Sequence, residues 1–335
     1  MIKQSNMISI VSYIYSSLSQ IRNILYDINF LKQTRFSKPI ISVGNITSGG
    51  TGKTPVVIDL CMYIKKLGFV PGVISRGYGR DSKVQVIVSD GKEILSDFFE
   101  AGDEPLLIAQ SVSGIPIIVD NNKLKGIEKL LQYNVDIIIM DDGYQSRKIE
   151  RDLDIVMINT LQHNPQKPYL LNSAILREPL SSLKRASIVI TSRNQEDNRY
   201  TWVNRYTDSI IIESLERTNL VNNMKNKKSV FNKRIKLVSF SGIADSSSFT
   251  NSIKEYNIVN NIIFKDHVLY GTKEINALSR SFEKLKVDGF ITTMKDYIKL
   301  PKAFISEYRI YILEYIIGVS NNKEIQDQIN RLLQK

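Results

Sequence analysis

Cysteine and histidine are scarce in this 335-residue chain, and no run of 18 or more apolar residues occurs in it. Each scarcity excludes something. Cys61, the single cysteine, cannot form an internal disulfide and has no metal-ligand spacing around it. Disulfide scaffolds and zinc chemistry therefore drop out, and a reducing, cytosolic compartment is expected. Without a long apolar run a membrane-spanning helix is not expected. The two histidines, His163 and His267, leave few imidazoles for proton transfer. Neither an internal repeat nor an Asn-Lys-x-Asp guanine-recognition motif is present.

What is present is 42% hydrophobic and 24% charged, which excludes disorder and collagen. The length suits two domains or one elaborated α/β core with an ordinary buried interior. Lysine and arginine total 45 against 34 aspartate and glutamate, a formal charge of +11. That excess favours anionic partners without choosing between nucleic acid, anionic lipid and phosphorylated substrates.

Near the amino terminus, Met7, Val11, Ile14, Leu18, Ile21, Leu25 and Ile28 recur at spacings of four and three, one apolar stripe along a helix. Lys3, Arg22, Lys32, Arg35 and Lys38 against Asp27 give residues 1–38 the basic balance of a helix lying on an anionic leaflet. The stripe also fits a helix packed on its own domain or one strand of a coiled coil. A signal peptide is not expected, because polar residues interrupt the apolar stretch and no small-residue cleavage site follows.

Residues 39–43, PIISV, read as a buried strand, followed by GNITSGGTGKTP and an apolar-periodic helix from Val56 to Leu67. Strand, glycine loop and helix in this order make a phosphate-binding loop spanning Thr47, Ser48, Gly49, Gly50, Thr51, Gly52, Lys53 and Thr54. In that reading backbone N–H groups wrap the phosphates, Lys53 reaches the outer ones and Thr54 offers a hydroxyl to Mg²⁺. Thr47 stands where the strict pattern wants glycine, so Gly49 and Gly50 are left to make the turn. An acidic partner for the metal is expected at the end of a neighbouring strand. VDIIIMDD at 135–142 supplies Asp141 and Asp142, although Asp142-Gly143 alone also suits a plain turn. A kinase needs in addition a base outside the loop. His163 lies in a polar, surface-like stretch, whereas His267 follows the apolar group Ile262, Ile263 and Phe264. Arg76 sits in a glycine-flexed turn near a strand end, suited to a phosphate.

GNITSGGTGKTP, SRGYGR (75–80), GDEPLL (102–107), DDGYQ (141–145), LREPL (176–180), DH (266–267) and TTMKD (292–296) occur in that order. Together they resemble the tetraacyldisaccharide 4′-kinase family over most of the chain. The resemblance implies MgATP-dependent phosphorylation of the 4′-hydroxyl of a tetraacyldisaccharide 1-phosphate, late in lipid A synthesis. The work would be done at the cytoplasmic face of the inner membrane. It further implies that Asp103 works with His267 on the acceptor hydroxyl, and that Asp141 and Asp142 lie near Mg²⁺. Arg177 would neutralise γ-phosphate charge, while Glu178 would hold Arg177 or a metal water and Glu104 would serve the metal or the loop. Asn45, Gln145 and Arg76 are assigned to substrate, and Lys295 and Asp296 to the nucleotide pocket. Ser146 replaces the family's usual histidine after DDGYQ. An acceptor with four acyl chains also favours the membrane reading of the amino-terminal helix.

The expected architecture is thus α/β: an amphipathic helix (1–38), a P-loop core with a mainly parallel sheet (39–215), a linker or hairpin (216–234) and a smaller α/β domain (235–335). A peripheral, monomeric lipid kinase with ATP and Mg²⁺ as cofactors and no nucleic-acid partner is the reading adopted. The competing one is a P-loop switch or partitioning ATPase that phosphorylates no acceptor.

Overall fold

A computed structural model describes residues 18–47, 50–80, 82–159, 170–171, 174–192, 201–222, 235–243 and 245–334. Met7, Val11, Ile14, His163, Ser48 and Gly49 lie outside the described residues. The first part of the chain supplies β1 (Ile40–Asn45), β2 (Pro71–Ser75), β3 (Val86–Asp90), β4 (Pro116–Val119), β5 (Ile137–Asp141) and β6 (Leu153–Asn159). A short hairpin of β7 (Leu170–Leu171) and β8 (Ala174–Ile175) precedes β9 (Ile188–Ser192) and β10 (Ile210–Glu213). Eight of these form one sheet in the order β10-β9-β6-β1-β5-β2-β4-β3. All pairings in it are parallel except β3 against β4. Strands buried on both faces must be apolar throughout, which is why the runs IISV and IIIM became β1 and β5. β3 was not foreseen, because it is an edge strand with partly exposed residues and no continuous apolar run.

The second sheet contains β11 (Leu215–Asn222), β12 (Leu237–Ser241), β13 (Ile258–Ile263), β14 (Gly289–Thr293) and β15 (Ile310–Gly318), in the order β11-β15-β14-β12-β13. β11 falls largely in the segment expected to be a linker. Its sequence, LERTNLVN, is mostly polar and half-exposed, and only antiparallel pairing along the whole of β15 makes it a strand.

The helices are α1 (residues 18–27), α2 (Lys53–Lys66), α3 (Phe98–Ala101), α4 (Asp103–Ser111), α5 (Lys123–Leu130), α6 (Ser246–Ser252), α7 (Thr272–Leu285), α8 (Met294–Tyr297), α9 (Lys302–Glu307) and α10 (Lys323–Leu333). α2 sets Val56, Val57, Leu60, Cys61 and Ile64 into the core beneath β1 and β5. Into the same core come Ile317 and Val319 at the end of β15, then Ile325, Ile329 and Leu332 of α10. Residues 323–333, assigned from the sequence to the smaller carboxyl-terminal unit, therefore form a helix that packs on the P-loop sheet. Asp59 of α2 fastens the crossing by accepting hydrogen bonds from the backbone N–H of Val319 (2.8 Å) and Ser320 (2.7 Å).

α1 packs the other way round. Ser19, Asn23 and Tyr26 are buried, while Leu18 (62%), Ile21 (56%), Ile24 (50%) and Ile28 (64%) are exposed. Of the described stripe residues, Leu18, Ile21 and Ile28 thus turn away from the domain with the neighbouring Ile24, and only Leu25 is half-buried, so the stripe as a whole is not packed on its own core.

Candidate active site

The end of β1 and the start of α2 frame the glycine loop. Gly52, the residue before α2, adopts φ +86°, a conformation costly for any residue with a Cβ. No side chain caps α2 at this end, so its first N–H groups are left for an anion. A Cβ on Gly52 would also meet Ile317 Cδ1 at 2.4 Å, so the second sheet reaches the phosphate loop itself. Thr47, Thr51 and Thr54 are buried. Thr47 bridges to Leu176, and Asn45 donates to the hydroxyl of Thr51 (3.1 Å) while its carbonyl accepts from Gln145 (2.8 Å). Asn45 and Gln145, assigned to substrate from the sequence, are in this structure braces of the loop.

β5 runs parallel to β1, with Asp141 in register with Val43, so Asp141 and Asp142 arrive beside the loop. The two carboxylates differ. Asp142, at φ +49°, takes two hydrogen bonds from Arg177 (2.8 and 2.9 Å) and lies 3.4 Å from Lys53 Nζ. Burial would raise its pKa, but Lys53, Arg177 and Lys123 hold it well below the usual carboxylate range. Asp141 is fully buried, accepts from Ser75 Oγ (3.0 Å), and its second oxygen has no hydrogen-bond partner. Burial, with the charges of Glu104 and Asp142, pushes it up to about 6 against Lys53 and Lys123. Lys123 was missed by sequence reasoning: its ammonium donates to the backbone carbonyls of both Asp141 and Asp142 (2.7 Å to the latter). Burial lowers it to about 8, opposed by Asp142 and Asp141. One lysine in a lysine-rich chain gives no signal of this.

A second cluster spans the gap between the two sheets. Asp103 and Glu104 open α4 behind Gly102, whose φ of +84° lets the turn carrying Tyr78 pass within 2.9 Å of where a Cβ would stand. Asp103 is buried and its Oδ2 lies 3.1 Å from His267 Nδ1. Burial raises the Asp103 carboxyl, but the hydrogen bond from His267 and the charges of Lys295, His267 and Lys299 carry it below its ordinary value. The same hydrogen bond raises His267 against burial. His267 sits at φ +55°, with its N–H bonded to the carbonyl of Gly242. A non-glycine residue in that region is uncommon and concentrates at functional sites. Beside this pair Lys295 Nζ meets Glu104 Oε1 at 2.8 Å. Glu104 in turn feels Lys53 and perturbs Asp141, so both clusters share one electrostatic neighbourhood.

Other sequence assignments fare differently. Glu178, proposed for a metal water, is fully buried facing α1, where it accepts from Asn23 (2.7 Å) and Arg185. Its carboxylate is taken up on that side, while its N–H points to the carbonyl of Ile46 (3.4 Å). Asp296 is buried as the partner of the Thr293 hydroxyl (2.8 Å) and of Lys299 (3.5 Å), so it braces the start of α8 instead of lining a pocket. Arg76 is exposed beyond β2. Tyr78, also exposed, sets its ring 5.2 Å from that of His267.

Known proteins are similar to this chain over most of its length. Residues 4–334 match the family model described as tetraacyldisaccharide-1-P 4′-kinase. The tetraacyldisaccharide 4′-kinase of Halothermothrix orenii is 32% identical, over 97% of this chain and 91% of its own. That of Chlorobium limicola is 33% identical over 86% of this chain and 84% of its own. The crystal structure of LpxK from Aquifex aeolicus in complex with ATP superposes with a TM-score of 0.78 at 27% identity, covering 99% of this chain and 100% of that one. The chain belongs to the tetraacyldisaccharide 4′-kinase family.

Proposed function

We propose that this protein transfers the γ-phosphate of ATP to the 4′-hydroxyl of a tetraacyldisaccharide 1-phosphate, giving the bis-phosphorylated lipid A precursor. The observation that carries the reading is the Asp103–His267 pair, 3.1 Å apart and joined across the two sheets beside the phosphate loop. A nucleotide switch has no use for a base there, whereas a kinase must take a proton from its acceptor. Asp103, held as a carboxylate, receives that proton. His267 donates to Asp103, orients it and balances its charge. Lys53 and the free N–H groups of α2 bind the outer phosphates, and Arg177 supplies positive charge to the group in transfer.

The residues present fit a Mg²⁺ ion. Asp141 offers a buried carboxylate oxygen without a partner, and the buried Thr54 hydroxyl lies at the start of α2. Asp142 is already engaged by two cationic groups and is the lesser candidate. Among the described residues no group of three or more His, Cys, Asp or Glu side chains could cage a metal. That suits an ion that keeps waters and phosphate oxygens as ligands. When bound it would neutralise phosphate charge.

The exposed side chains of Leu18, Ile21, Ile24 and Ile28 support attachment to a lipid surface, at the cytoplasmic face of the inner membrane, where an acylated substrate resides. No described helix is long and apolar enough to cross a membrane. The test is incubation with γ-labelled ATP, Mg²⁺ and tetraacyldisaccharide 1-phosphate in mixed micelles. A labelled lipid is expected, reduced about 10²-fold or more in Asp103→Asn while MgATP still binds. No labelled lipid from folded, ATP-binding protein overturns the reading in favour of a switch ATPase.

A further inference from the structure

The inward face of α1 ends on the segment that carries Arg177. Asn23 donates to Glu178 Oε2 at 2.7 Å, Arg22 lies 3.8 Å from Glu178 Oε1, and the Ser19 hydroxyl donates to the carbonyl of Arg177 at 3.4 Å. On its other side the segment is hung on the phosphate loop. The N–H of Arg177 donates to the carbonyl of Ile46 (2.7 Å), and Leu176 bridges Thr47. Arg177 then reaches Asp142. Glu178 also binds Arg185, whose guanidinium lies 4.6 Å over the ring of Tyr144, next but one after Asp142.

A fully buried carboxylate persists only if its oxygens are satisfied. Here Oε2 is held jointly by Asn23 and Arg185, while Oε1 has no hydrogen-bond partner and faces only Arg22 at 3.8 Å, so one of the two hydrogen bonds to the carboxylate comes from a helix whose opposite face is largely exposed and apolar. α1 is therefore not an appended anchor: its polar face supplies one of the two hydrogen bonds to the Glu178 carboxylate and a further contact to the carbonyl of Arg177.

We propose that Asn23 is a positioning residue for Arg177. By holding Glu178 Oε2 it makes the seat of α1 part of the active site, so that a lipid bilayer held on the outer face of α1 is mechanically joined to the group at Asp142. The effect on turnover rests on the kinase reading above, whereas the effect on the backbone does not.

Asn23→Ala and Asn23→Ser are compared with wild type in four measurements: lipid phosphorylation in mixed micelles, MgATP affinity, flotation with phosphatidylglycerol–phosphatidylethanolamine vesicles, and amide hydrogen exchange over residues 176–178. Asn23→Ala is expected to lower kcat about 10- to 10²-fold, the scale of a displaced positioning group. Amide exchange at Arg177 should speed up, with MgATP affinity and flotation retained. Asn23→Ser, which keeps a hydroxyl donor, should recover part of both effects. Ile21→Ser/Ile24→Ser/Ile28→Ser should lose flotation with exchange at 176–178 unchanged.

Wild-type exchange at 176–178 in folded Asn23→Ala overturns the proposal, as does wild-type kcat in an active preparation. A wild-type protein that phosphorylates no lipid counts against the kinase reading alone, and the exchange measurement still decides the role of Asn23. If Asn23→Ala fails to fold, Asn23→Ser carries the test: its exchange at 176–178 must exceed that of wild type for the proposal to stand.

Discussion

α1 and α10 lie near opposite ends of the chain, and both carry an apolar and a polar face. α10 turns Ile325, Ile329 and Leu332 into the core it shares with β1, β5 and α2. α1 turns Ser19, Asn23 and Tyr26 inward and leaves Leu18, Ile21, Ile24 and Ile28 in the open. An apolar stripe reports that a helix has a face to cover; it does not report what covers it. In α10 the cover is the protein's own sheet. In α1 that option is closed, because the surface beneath is Glu178, Arg147 and Arg185, and such groups need polar partners. Asp27 meets Arg147 at 2.8 Å and Tyr26 lies under the same guanidinium, 5.2 Å from it.

The contrast can be broken most decisively by truncating each helix on its apolar side. Ile329→Ala should lower unfolding stability by about 2–5 kcal/mol, the cost of a cavity in a closed core, read from denaturant midpoints. Ile24→Ala should change it by less than about 0.5 kcal/mol. Equal losses would mean that α1 is held by its apolar side after all. Sharper still is Ile24→Ser scored on vesicles instead of on stability. It should weaken flotation by up to about 1.5–3 kcal/mol, the transfer value of one such side chain, and added salt should weaken it further through the exposed Lys32. Thermal midpoints unchanged beside lost flotation would fix the outer face as a lipid contact.

The smallest effect concerns the contact between the two sheets. His267 is raised by Asp103, so its contribution is full below about pH 6.5, the unperturbed histidine value, and is lost as pH rises through the higher folded value. Asp103 is lowered, so its contribution is full above about pH 3.9 and is lost as pH falls through the lower folded value. The pair should therefore be strongest between about pH 4 and 6.5. The stability difference between wild type and His267→Asn, measured against pH, should peak in that window and shrink on the alkaline side. His267 is half-exposed, so solvent keeps the effect modest. A flat difference would show that the pair carries no net charge interaction.

Much of the site was legible because its parts are local. The run IISV followed by a glycine-rich loop and a helix could be little else, and IIIMDD placed two carboxylates at a strand end whatever the rest of the chain did. The buried strands of the larger sheet read correctly for the same reason, since each is a short apolar run between breakers. β11 did not, because its strand character is lent by β15. The pairing of Lys295 with Glu104, 191 residues apart, left no trace in spacing, and neither did Lys123 beneath the two aspartates. Glu178 was misread because its neighbour Arg177 does face the loop. In an irregular segment adjacent side chains point to opposite sides, and only the packing of α1 shows which side Glu178 takes.

The sequence by itself determined the strand, glycine loop and helix unit, which carboxylates stand beside it and that the first helix has an apolar face. Those properties follow from backbone geometry repeated over a few residues. Only the tertiary structure decided that α10 closes the P-loop core, that Lys295 reaches Glu104 and that α1 rests on its polar face. Each of these depends on which buried charge or apolar surface is left uncovered once distant segments meet. That remainder is settled by desolvation over the whole fold, to which no local pattern has access.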